Sequence, residues 1–235
     1  MTRQTAWLTK RRLPLVLLLV QVWPWAAAAG VDDIKVSVLL SGVTIRPQMT
    51  GGELSAPSQP DSRVGLGNAS SLAGGLALDG DGPWRLAVFG LARPFEHEVR
   101  GAGALAGVGK LGSVKLLPIT ALAQYRLGSG WDAFGLQPYL GVGATYAYVY
   151  KTSSAPSLTA LTQPGGSAET SIRVGSRWGL DLQVGLRAQV DARWSIDASL
   201  LRTRLRMQAQ VSTGQTTALR VDPCIGMLSL GYRFP

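Results

Sequence analysis

The stretch Trp178-Gly179-Leu180-Asp181-Leu182-Gln183-Val184-Gly185-Leu186-Arg187-Ala188-Gln189-Val190 alternates between apolar residues and polar or small ones. A period of two sends the two sets to opposite faces of a β-strand. At about thirteen residues it exceeds the 9–11 that a tilted strand needs to cross a bilayer. One face begins with a tryptophan and continues with aliphatic groups, while the other carries both signs of charge. Such a strand suits a wall between lipid and a wet interior.

The same pattern recurs along the chain. Seven further strands are expected at about Lys35–Arg46, Asn68–Leu78, Trp84–Phe95, Ser113–Leu127, Gln137–Tyr150, Trp194–Gln210 and Thr217–Phe234. The sixth in order, which contains the opening stretch, begins near Ile172. Long links rich in Gly, Pro, Ser or Ala, at about 47–67, 96–112 and 151–171, alternate with short ones at Gly80, Gly128-Ser129-Gly130 and Asp191. Long loops at one end and short turns at the other are the habit of outer-membrane barrels. In lipid every backbone N–H and C=O must be paired within the protein, which requires closure. The fold expected is all-β, a closed eight-stranded antiparallel transmembrane barrel of up-and-down order. A soluble sandwich or lipocalin-like barrel would bury its apolar face and expose its charge. Here Asp181 and Arg187 fall mid-strand on the inward parity. Trp131, Trp178 and Trp194 are expected near one rim as interfacial aromatics, with Tyr232 and Phe234 closing the chain.

Residues 1–29 read as a cleaved signal peptide, leaving 30–235 as the barrel. Arg3, Lys10, Arg11 and Arg12 precede the short apolar run Leu13–Val22, and Ala26–Ala29 offers small residues for cleavage. Removing four of 23 basic residues and none of 14 acids lowers the net charge from +9 to about +5. An excess that modest, spread along the chain, does not point to nucleic acid. Cys224 is the one cysteine, so no intrachain disulfide forms, and its place in a strand pattern favours an inert thiol.

Several motifs stand in an order that resembles the OmpW family of outer-membrane proteins. They are Val43-Thr44-Ile45-Arg46-Pro47, Pro94-Phe95-Glu96-His97, Val114-Lys115-Leu116-Leu117-Pro118, Gln137-Pro138-Tyr139-Leu140-Gly141-Val142-Gly143, Arg177-Trp178-Gly179, Gln183-Val184-Gly185, Arg220-Val221-Asp222-Pro223 and Gly231-Tyr232-Arg233-Phe234. The resemblance implies an eight-stranded barrel with long strands and a narrow, largely apolar interior. It further implies passage of small hydrophobic molecules, in part sideways into the membrane. Family members usually end on an aromatic residue that the barrel-assembly machinery reads; here Pro235 follows Phe234.

Two motifs lose to ordinary explanations. Gly107-Val108-Gly109-Lys110-Leu111-Gly112 spells a dinucleotide fingerprint, with Asp132 about 20 residues on, but a β-type run containing proline follows where a helix is needed. Glu96-His97-Glu98 holds the only histidine, and no second ligand cluster stands at metal spacing. No catalytic, cofactor or metal site is expected, and enzymatic activity is not.

The seventh strand carries the functional expectation. Parity sends Trp194, Ile196, Ala198 and Leu200 outward, followed by Arg202, Arg204 and Arg206. Leu201, Leu205 and Met207 then line an apolar upper lumen. The arginines reach an outer rim where guanidinium groups meet lipopolysaccharide phosphates. A β-bulge near Leu201 would reverse these assignments, and the rim reading is preferred. Lower down, Asp181, Gln183, Arg187 and Asp197 are expected to form a polar constriction. The function that fits is a passive channel or lateral-exit route for small hydrophobic molecules across the outer membrane of a Gram-negative bacterium. The alternative is a structural or adhesive barrel acting through its extracellular loops. The expected partners are membrane lipid and lipopolysaccharide, the barrel-assembly machinery and the hydrophobic cargo.

Overall fold

A computed structural model describes residues 34–51, 61–103, 106–128, 135–162, 170–212 and 216–235. The expected signal peptide and Trp131 lie outside these residues. Thirteen strands form one sheet: β1 (Lys35–Arg46), β2 (Met49–Gly51), β3 (Ser62–Leu66), β4 (Ala69–Asp79), β5 (Trp84–Leu91), β6 (Phe95–Gly103), β7 (Lys110–Arg126), β8 (Leu136–Ser154), β9 (Ile172–Val174), β10 (Arg177–Gln189), β11 (Trp194–Val211), β12 (Thr216–Val221) and β13 (Cys224–Arg233).

Eight of them close the wall. Strands β10, β8, β7, β5, β4, β1, β13 and β11 are neighbours in that order, and β10 pairs again with β11. The ladders are antiparallel throughout, and closure leaves no wall strand as a free edge along its length. The links between β4 and β5 and between β10 and β11 are short, and they share an end with Lys35 and Arg233. By the pattern of such barrels this is the periplasmic end.

Burial alternates as the sequence pattern requires. In β10 Trp178, Leu180, Leu182, Val184 and Leu186 are exposed, and Leu180 most of all at 72%. Between them Asp181, Gln183 and Arg187 are buried. Exposed apolar side chains also cover β1, β4, β5, β8, β11 and β13, among them Val38, Leu72, Val88, Val142, Leu200 and Leu228. An apolar belt that encircles a closed sheet is a surface for hydrocarbon.

Aromatic pairs mark the two edges of that belt. At the periplasmic end Trp84 meets Tyr125 with ring centroids 4.9 Å apart, Trp194 meets Tyr232 at 5.0 Å, and Tyr232 meets Phe234 at 5.3 Å. Trp178 instead pairs with Tyr146 at 4.9 Å, at the far end of β10 from the turn. The expectation of a shared rim for Trp178 and Trp194 is therefore corrected. Both open their strands, but successive antiparallel strands begin at opposite edges.

The expected loops are also partly strand. Phe95, His97 and Val99 are buried and alternate with Glu96, Glu98 and Arg100, giving β6 a period of two inside the stretch 96–112. Strand β8 runs on to Ser154, and a short helix α1 (Pro156–Thr162) follows within 151–171. Strands β2 and β3 occupy part of 47–67. The wall thus extends past the belt through β2, β3, β6, β9 and β12, and Leu158 of α1 packs with Val99, Leu111 and Val114.

Candidate functional site

The β11 register runs without interruption from Ser195–Gln189 to Leu205–Gly179, so no bulge reverses the strand near Leu201. Arg202, Arg204 and Arg206 are exposed, and Leu201, Thr203, Leu205 and Met207 are buried. Parity along β11 therefore sends the three arginines outward and Leu201 and Leu205 inward.

Near the periplasmic end the interior is polar. Arg187 Nη1 lies 3.7 Å from Asp79 and its Nε 3.5 Å from Asp197, while Arg85 Nε is 3.5 Å from Asp79. Neither Arg85 Nε nor Arg187 Nε has a hydrogen-bond partner, so these are charge contacts rather than directed bonds. Tyr139 adds one such bond, donating its hydroxyl to Asp197 at 2.8 Å, and its ring lies 5.6 Å from the Arg187 guanidinium. Two layers continue the polar floor. Gln124 donates to Gln183 at 2.8 Å and Gln183 to Ser199 at 3.1 Å, while Ser41 donates to Ser229 at 2.7 Å. Above them Thr145 donates to Asp181 at 2.7 Å, with the Thr120 hydroxyl 2.6 Å from Thr145. Each layer is tied across strands by these bonds, although Gln124 Oε1, Asp181 Oδ1 and Thr203 Oγ1 are buried without a hydrogen-bond partner.

All four residues expected in the constriction face inward, but they do not form one group. Arg187 and Asp197 share the ionic layer, Gln183 lies in the amide layer, and Asp181 belongs to the threonine layer. Asp79, Arg85, Gln124 and Tyr139 escaped the sequence reading. The alternation Trp84-Arg85-Leu86 already places Arg85 inward, and it was the available signal for that residue.

The apolar residues expected in the lumen are all buried, but they also separate. Leu201 joins a cluster with Leu39, Val43, Phe89, Phe95, Leu122 and Met227. Leu205 and Met207 join Ala147 and Val221 instead. Thr203 stands between Leu201 and Leu205 on β11, and its register partner is Asp181. The interior is thus divided around the barrel as well as along it. Strand β5 is apolar inside down to Ala87, and β1 and β4 are apolar apart from small serines such as Ser41, whereas polar groups climb β7, β8 and β10 as far as Thr120, Thr145 and Asp181.

The larger cluster ends at a break in the wall. Strand β5 pairs with β7 only as far as Gly90–Ile119, and β6 takes up the pairing at Phe95–Leu116. Leu117 and Pro118 have no ladder partner on that side. Pro118 has no N–H to offer, which suits a local edge. Phe89 and Phe95, on either side of the break, both belong to the cluster, and Leu91 packs against it.

His97 is 3% exposed in β6, where its Nδ1–H donates to the Gly67 carbonyl at 2.8 Å and its ring stacks on Phe95. Burial lowers its pKa below the ordinary value, with the Gly67 bond opposing. Glu96 pairs with Lys115 at 3.2 Å, and Glu98 with Arg100 and Lys110 at 2.6 and 3.3 Å, so both carboxylates are committed to bases. Among the described residues no group of His, Cys, Asp and Glu could hold a metal. Cys224 is a free thiol, half-buried, on the outward parity of β13.

Residues 48–234 match the model of the OmpW family. Outer membrane protein W of Salmonella typhi is 32% identical over 146 residues, which are 61% of this chain and 63% of the relative. Outer membrane protein W of Vibrio cholerae serotype O1 is 28% identical over 148 residues, 61% of this chain and 64% of the relative. These matches therefore span a little under two thirds of the relatives' length. In fold, the chain is similar to the outer membrane protein OprG of Pseudomonas aeruginosa, with a TM-score of 0.74 at 21% identity over 87% of this chain and 98% of that one. It is similar also to the outer membrane protein AlkL, with a TM-score of 0.62 at 20% identity over 87% and 92%. The chain belongs to the OmpW family, as a closed eight-stranded β-barrel of the Gram-negative outer membrane.

Proposed function

We propose that this barrel gives small hydrophobic molecules a passive route across the outer membrane, entering an apolar interior and leaving sideways through the wall. The observation that carries the reading is the larger apolar cluster. It crosses the interior from Leu201 and Met227 to Phe89 and Phe95, and those two phenylalanines flank the break opposite Leu117 and Pro118. Below it the hydrogen-bonded polar floor resists an apolar solute, since any that passed would have to strip paired polar groups. Axial flow is thereby disfavoured and the gap in the ladder becomes the cheaper exit. Binding is non-directional and scales with apolar area, so it selects for size and oiliness rather than for one molecule.

A hydrophobic fluorescent probe should enter proteoliposomes faster with the protein than without it. Leu201→Arg, which puts a charge in the cluster, should remove most of that gain while heat-modifiable gel mobility shows a folded barrel. Undiminished flux through folded Leu201→Arg would sink the transport reading and leave a surface role for the extracellular loops.

A further inference from the structure

The outer wall carries a basic patch that transport leaves without a role. Cys224 stands directly opposite Arg46 on one side and Arg202 on the other, so two exposed arginines flank it at one level. Higher on the same face Arg206 lies directly opposite Arg220. Arg204 projects between these levels on β11, and Arg177 reaches Gln208 at 3.3 Å beside them. Like charges directly opposite in a ladder repel and destabilise it. Carboxylates of the protein do little to offset them here. Among the described residues of β9 to β13 and β1, Asp181 and Asp197 face the lumen. Asp222, which is buried, pairs with Arg220 at 2.9 Å.

Depth identifies what does offset them. Strands rise about 3.3 Å per residue and incline about 40°, so Arg202 stands about 20 Å above Trp194 and Arg206 about 30 Å, against an apolar band about 25 Å tall. The row therefore climbs through the outer edge of the hydrocarbon. Trp178, one step beyond the last register pair of Gly179 with Leu205, marks the same edge. In an outer membrane the lipid that places phosphates at this edge is lipopolysaccharide, through its lipid A sugars.

We propose that Arg46, Arg202, Arg204, Arg206 and Arg220 form a docking surface for the phosphates of lipid A in the outer leaflet. A guanidinium takes a phosphate bidentately and is always charged, and a long arginine stem can cross apolar surface to carry its head to the headgroup layer. The surface lies on β11, β12, β13 and β1, away from the break between β5 and β6, so it stands or falls independently of the transport reading.

The test is retention of lipid by the folded full chain in detergent, read by native mass spectrometry. The titrants are bisphosphorylated lipid A, dephosphorylated lipid A and inorganic phosphate. The wild-type chain should hold the bisphosphorylated lipid at least about tenfold more tightly than the dephosphorylated one, because charge-assisted bidentate pairs are the strong ones. Arg202→Gln, Arg204→Gln and Arg206→Gln combined should abolish most of the preference, whereas Arg100→Gln on β6 should keep it. Equal retention of both lipids by the wild-type chain overturns the proposal without any variant. So does an undiminished preference in the folded triple variant, or displacement of the lipid by inorganic phosphate at equal concentration.

Discussion

Replacing Gly185 with alanine tests whether the polar floor depends on a tyrosine ring lying across bare backbone. Gly185 and Tyr139 are register partners in the β8–β10 ladder. A Cβ at Gly185 would collide with the Tyr139 ring and hydroxyl, standing 2.6 Å from Cε1 and closer still to Cζ and the oxygen. Tyr139 is buried, so its ring has no solvent to retreat into, and moving it breaks the 2.8 Å bond to Asp197. A hydrogen bond to a charged group contributes about 1.5–3 kcal/mol, and forcing an extra methyl into a filled site costs about 1–3 kcal/mol. The expected loss is about 3–5 kcal/mol, a large share of a typical domain's stability.

Gly74 provides the comparison, since it faces outward on β4 and a Cβ there meets nothing within 4 Å. Gly74→Ala should change stability by about 1 kcal/mol or less. Reversible urea unfolding in phospholipid vesicles, followed by tryptophan fluorescence, reads both. In a Tyr139→Ala background the ring is gone, and Gly185→Ala should then cost about 1 kcal/mol or less. Were Gly185→Ala as mild as Gly74→Ala, or as costly with Tyr139 absent as with it present, the reasoning would be refuted.

Two further predictions concern depth and pH. Val184 lies about 15 Å above Val190 and Leu180 about 25 Å, so Val184→Arg should cost about 2–4 kcal/mol and Leu180→Arg about 1 kcal/mol or less. Equal costs in vesicle unfolding would move the outer edge away from the arginine row. His97 is held below its ordinary pKa of 6.5 chiefly by burial. The unfolded chain therefore takes up a proton at higher pH than the folded one. Stability from this site is present above pH 6.5 and is lost as the pH falls from there through the lowered folded value. Amide protection factors in β3 and β6 should be lower at pH 5 than at pH 7.5, and His97→Gln should level them; equal factors in the wild-type chain would count against the assignment.

What the sequence made legible was the wall. Period-two alternation located all eight closing strands, and β1 and the start of β11 agree with their expected bounds, because one face of each strand must be apolar for lipid whatever the other strands do. Parity also told inward from outward in β11, since a closed register admits no slip without turning Leu200 inward and Leu201 toward lipid. Other features depend on more than one strand. Trp178 was assigned to the wrong rim because a place along one strand says nothing of depth until the strand's direction is fixed. Strand β6 was hidden by Pro94 and by the glycines after Arg100, although Phe95, His97 and Val99 alternate. Parity sends Arg85 and Arg187 inward, but that both meet Asp79 follows only from the shear that brings β4, β5 and β10 to one level.

The division of the interior has a physical basis in pairing. An isolated inward charge would cost several kcal/mol, so charges gather where neighbouring strands supply partners. Strands β10 and β11 carry Arg187 opposite Asp197, and β4 and β5 carry Asp79 opposite Arg85, all beside the short turns. Once the periplasmic end holds its charges in pairs, the inward faces of β1, β4 and β5 above it are free of charge and largely apolar. On that side the wall loses a ladder step, between Gly90 and Phe95, as it does on β11 between the partners Cys224 and Val221. A polar lining at that break would draw water to the edge of the hydrocarbon, where unpaired backbone groups are costly. An apolar lining lets the gap stay dry. The apolar cluster and this missing ladder step therefore suit one another, and Phe89 and Phe95 are where the two meet.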